Sequence, residues 1–79
     1  MELNRITRDP GVCMGQPTIR GMRITVAFIL KLLASGMDIP AILKAYPELE
    51  EEDIRQSLAY AAWLAAEQVR LVPQEAQRP

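Results

Sequence analysis

The stretch TVAFILKLLASGMDIPAILKAYP, Thr25 to Pro47, decides the fold. Within it Val26, Ile29, Leu30 and Leu33 fall at i, i+3, i+4 and i+7, which is the apolar stripe of an amphipathic helix. Thr25 stands where a hydroxyl can accept a bond from the first turn, and Gly36 where a left-handed residue can close the last, so the spacing predicts a helix over Val26 to Ser35. Asp38 offers a second cap and Pro40 sits in a first turn, where its missing N–H costs nothing. Ile39, Ile42, Leu43 and Tyr46 form the next stripe, which Pro47 ends. The connection Gly36-Met37-Asp38 is short enough to predict a tight angular junction rather than a long antiparallel pair.

Downstream, Glu50 to Asp53 place four carboxylates at the start of a third helix, where the helix dipole favours negative charge. Ile54 and Leu58 begin a stripe that then disappears. The run LAYAAWLAA, Leu58 to Ala66, holds neither a charge nor an amide. A helix apolar all round is expected to be buried all round, and two short helices and an arm cannot cover every side of it. One face is therefore expected against a second subunit, through Leu58, Ala62, Trp63 and Ala66, with the alanines allowing close approach and Trp63 as anchor. The alternative is that the N-terminal arm covers that face. Gln68 to Pro79 loses periodicity and reads as a fraying tail or a partner-binding segment.

Upstream, Leu3 to Arg8 reads as a short strand, Asp9-Pro10-Gly11 as a turn, and QPTIRGMRI as one or two extended pieces bent at Gly21. The expected organisation is a β arm over 1–24, a three-helix domain over 25–70 and a tail over 71–79. It makes one domain, mainly α, small enough for help from a partner subunit to be expected.

Composition narrows the chemistry. With one cysteine, Cys13, and no histidine, the chain lacks the residues for a disulfide framework or the usual zinc sites, and it offers no histidine base. The expectation is no enzyme, no cofactor, no metal and no small-molecule substrate. The charged N-terminus and the lack of a long apolar run predict no membrane segment and a reducing cytoplasm. The net charge of −1 hides a split: residues 1–36 carry five basic and two acidic side chains, the rest four and eight.

The glycines of GQPTIRGMRIT, Gly15 to Thr25, match neither a dinucleotide loop nor a P-loop, and fit turns instead. Arg5, Arg8, Arg20 and Arg23 of the arm are candidate contacts to DNA phosphates or base edges, since a guanidinium donates two parallel bonds. The structural alternative is pairing with Asp9 or with helix carbonyls. In a helix-turn-helix the later helix would read the major groove, but here its first turn is acidic and only Arg55, Gln56 and Ser57 offer donors.

The run from Ile6 to Ala61 resembles a prokaryotic family catalogued as domain of unknown function 433. The resemblance rests on Asp9-Pro10, Gly15 with Pro17, Gly21 with Arg23 and Ile24, Gly36, Tyr46-Pro47, Leu49 and Asp53-Ile54. It implies a homeodomain-like three-helix domain behind a β hairpin. It also implies an antitoxin of the VapB-like kind, paired with a small PIN-like ribonuclease. The expected function is then an antitoxin-like homodimer that binds a toxin nuclease and its own operator DNA. The alternative is a protein-interaction or dimerisation module with no nucleic-acid role.

Overall fold

The computed structural model describes residues 3–68. The expected tail over 71–79 lies outside the described residues. The chain runs β1 (Ile6–Thr7), β2 (Thr18–Ile19), α1 (Val26–Ala34), α2 (Ile39–Ala45) and α3 (Glu51–Gln68). This is the expected mainly α domain, three helices behind a two-stranded antiparallel hairpin.

Both predicted caps form. The Thr25 hydroxyl accepts from the Phe28 amide and the Asp38 carboxylate from the Ala41 amide. At the end of α1 the Met37 amide donates to the Leu32 carbonyl and the Gly36 amide to the Leu33 carbonyl, the paired closure that needs a left-handed residue. Gly36 supplies it at φ 105°.

The strands are shorter than predicted. The Ile6 amide donates to the Leu3 carbonyl, so residues 3–5 turn rather than extend, and only Ile6 and Thr7 pair, with Ile19 and Thr18. Across that pair the Thr7 and Thr18 hydroxyls meet at 3.1 Å, which satisfies the buried Thr18. The link between the strands is held by a turn in which Cys13, Met14 and Gly15 all have positive φ.

Ile19 of β2, Val26 and Ile29 of α1, Ile42 of α2, Leu49 of the connection before α3, and Ile54 of α3 build the core. Every helix stripe is represented in it, which is what amphipathic spacing demands. The expectation of all-round burial for Leu58 to Ala66 fails within one chain. Leu58, Trp63 and Leu64 are exposed, as are Ala62, Ala65 and Ala66. The reason is length: at 1.5 Å per residue α3 runs about 27 Å, while α1 and α2 run about 14 and 11 Å and cannot cover it. The buried face of its first half is instead polar, with Asp53, Gln56 and Ser57 beside Ile54.

Candidate functional site: the arginine arm and the third helix

The acidic start of α3 supplies the centre of the arm's attachment. Glu50 is the N-cap residue, and three positions on, the Asp53 carboxylate reaches back to accept from the Glu50 amide at 2.8 Å. This is the return half of a capping box, with aspartate in the place of glutamate. The same carboxylate, fully buried, takes a fork from Arg20: Nε to Oδ1 at 3.1 Å and Nη2 to Oδ2 at 2.8 Å. Arg5 Nη1 adds a third cationic bond at 3.1 Å and also meets Glu50. Burial acts to raise the Asp53 carboxyl, but the bonds from Arg20, the Glu50 amide and Arg5 together hold it below its ordinary value. No buried side-chain polar atom among the described residues lacks a partner.

Gln56 completes the attachment one turn along. Its Oε1 accepts from the Arg5 amide at 3.0 Å, and its Nε2 donates to Asn4 Oδ1 and to Glu52. Asp53 and Gln56 thus clamp the arm onto α3 by side chain and backbone together. Arg20 also bonds the Glu48 carbonyl, before the helix starts.

These contacts redistribute the residues expected at DNA. Gln56 is buried with both ends of its amide engaged, so it does not face a base edge. Arg5 and Arg20 turn inward to Asp53, not to Asp9, and Arg5 pairs with Glu50 as well. Arg55 lies on the surface and pairs with Glu52, whose carboxyl is held at about 2 by bonds from Arg55 and Gln56. Arg8 lends its Nε to the Gly15 carbonyl. Arg23 is exposed and its side chain makes no hydrogen bond or ion pair among the described residues.

A second surface lies where α3 outruns its neighbours. An open groove of about 380 Å³ runs between Val26, Ala27 and Leu30 of α1 and Tyr60 and Leu64 of α3, with Arg8 in its wall. The four residues expected at a subunit contact, Leu58, Ala62, Trp63 and Ala66, are all solvent-facing on this half of the helix. Sequence reasoning missed Met14, which is 94% exposed on the left-handed turn. A bulky side chain inside Gly-rich turn chemistry was the available signal. No cluster of three or more His, Cys, Asp or Glu side chains suited to a metal occurs among the described residues, and no helix there is long and apolar enough to cross a membrane.

Comparison with known proteins gives three findings. A family model described as a protein of unknown function, DUF433, matches residues 6–61. The chain is 34% identical over 56 residues to the uncharacterized protein y4eO of Sinorhizobium fredii (strain NBRC 101917 / NGR234). That match takes in 71% of this chain and 25% of y4eO, so the chain spans about a quarter of that relative's length. A crystal structure of a DUF433 member protein from Anabaena variabilis ATCC 29413 superposes with a TM-score of 0.74 at 33% identity. It covers 85% of this chain and 66% of the other.

Proposed function

This chain belongs to the DUF433 family, and we propose that it is an antitoxin-like regulatory protein that acts by holding a partner protein, a PIN-like ribonuclease, and not by catalysis. The observation that supports this reading is the fate of the arm's arginines. With Arg5 and Arg20 committed to Asp53, the ionic surface at the start of α3 is acidic, with Glu48, Glu50 and Glu51 exposed. A cleft that binds RNA presents cations to phosphates, and a carboxylate cluster offers it the same sign of charge. The uncharged run Leu58 to Ala66 of α3 adds apolar surface of the kind buried at protein interfaces.

Co-expression with the product of the neighbouring gene tests it. The expected result is a stable complex in which ribonuclease activity is suppressed. Glu48→Lys with Glu51→Lys should slow association, most strongly at low salt. Absence of both complex and inhibition would overturn the reading.

A role at operator DNA is the second reading, and it now rests on Arg8 and Arg23, the arm's two arginines outside the Asp53 cluster. Affinity for duplex DNA that falls steeply with salt, and less steeply in the Arg8→Ala, Arg23→Ala variant, supports it. No retention on heparin or DNA leaves a protein-interaction module alone.

A further inference from the structure

The link between β1 and β2 ends in a turn whose most exposed residue is apolar. We propose that this turn is a wedge for duplex DNA: Met14 enters the minor groove between two base pairs while Arg8 and Arg23 hold adjacent phosphates. The wedge rests on the operator reading above, which needs only the two arginines, and adds to it a contact made by no charge.

Met14 is 94% exposed and left-handed at φ 59°, between Cys13 at 50° and Gly15 at 81°. A side chain in that conformation is disfavoured, and an exposed one gains no burial to offset the strain. Strain that the fold itself does not repay concentrates where a ligand is met. The turn is also braced on both sides of Met14. The Val12 amide donates to the Asp9 carbonyl at 2.9 Å, the Gly15 amide to the Val12 carbonyl at 3.0 Å and the Gln16 amide to the Cys13 carbonyl at 3.2 Å. Cys13 Sγ donates to the Arg23 carbonyl at 3.6 Å. Met14 is therefore presented on a fixed tip.

Charge selects DNA as the occupant. The Arg8 Nε bond to the Gly15 carbonyl, 3.1 Å, fixes that guanidinium beside the turn, and Arg8 and Met14 line one open hollow with Asp9, Pro10 and Gly15. Arg23 is exposed, and its backbone passes Cys13. Asp9 is the only acidic side chain from Arg8 to Arg23, and one of its oxygens accepts from the Gly11 amide. A nuclease cleft lined with cations would be repelled here and drawn instead to the acidic start of α3.

Shape selects the minor groove. At about 6 Å wide it excludes a helix but admits a turn. Methionine is among the apolar side chains that part base steps there, and arginine is drawn to the negative potential of narrow A·T tracts. The major groove is disfavoured for α3, which is preceded by Glu50 and opens with Glu51, Glu52 and Asp53.

The test uses the full chain with duplexes of about 25 base pairs, one A·T-rich with central TA steps and one G·C-rich, labelled at both ends for energy transfer. The expected result is salt-dependent binding that prefers the A·T-rich duplex and bends it by about 20–90°. Met14→Gly should abolish the bend and weaken binding about tenfold with the salt slope unchanged, and Met14→Leu should retain both. Arg8→Ala with Arg23→Ala should lower the slope by about two phosphate contacts. DNA bound without a bend, or bent equally by Met14→Gly, overturns the wedge and leaves the operator reading standing. No salt-dependent binding to either duplex overturns both and leaves the nuclease reading. A Met14→Gly variant that loses the nuclease complex but bends DNA normally assigns the tip to that partner and overturns the wedge.

Discussion

Asp53 and Arg20 face each other through two parallel bonds, a fully buried carboxylate against a guanidinium whose side chain is 37% exposed. That asymmetry sets the energetics of the arm. Removing the carboxylate strands Arg20 and Arg5 beside an interior built to receive them, whereas removing one arginine leaves Asp53 with another cation and the Glu50 amide.

Asp53→Asn should therefore destabilise the domain by about 2–4 kcal/mol. That is at or somewhat below the usual cost of breaking a buried pair, because both guanidiniums can rehydrate. Arg5→Ala should cost less. Urea unfolding of the two variants checks the order, and an Arg5→Ala loss larger than that of Asp53→Asn would contradict it.

Acid should release the arm. The Asp53 carboxyl lies below its ordinary value of 3.8 in the fold, so the unfolded chain binds the proton first. Its contribution is complete at neutral pH and is lost as pH falls from the ordinary value through the depressed one, in the region below about pH 4. Stability followed against pH should drop there in the native chain and far less in Asp53→Asn.

Met14→Gly should stabilise. Met14 sits at φ 59° and is almost fully exposed, so it buries little while it holds a left-handed conformation that costs a side chain about 1–2 kcal/mol. Set against the extra freedom of glycine in the unfolded chain, a gain of about 0.5–1 kcal/mol remains. Thermal unfolding reads it, and a loss of stability would refute the strain argument.

The turn between α1 and α2 should be sensitive from both sides. A Cβ at Gly36 would meet nothing within 4 Å, so Gly36→Ala isolates backbone strain at φ 105°, about 1–2 kcal/mol. Asp38→Ala should remove the α2 cap at about 1 kcal/mol. Equal unfolding midpoints for Gly36→Ala and the native chain would refute the strain argument.

Most of the helical frame was legible in the sequence, because caps, stripes and Pro47 are local signals that act within one or two turns. The arm was less so. Strand length depended on where Gln56, some fifty positions away, takes hold of Asn4 and the Arg5 amide. Asp53 was also hidden: among four successive carboxylates at a helix start, dipole compensation explains each one equally well.

From the sequence alone came the three helices, their caps, the left-handed closure at Gly36 and the uncharged run Leu58 to Ala66, since each depends on neighbours along the chain. Only the tertiary structure decided that Asp53 is the carboxylate that captures Arg5 and Arg20, and that α3 outruns the helices packed on it. Both follow from burial. An arginine's partner is set by which carboxylate the fold removes from water, and the exposure of an apolar helix by how far its neighbours reach along it, and neither quantity is written in residue order.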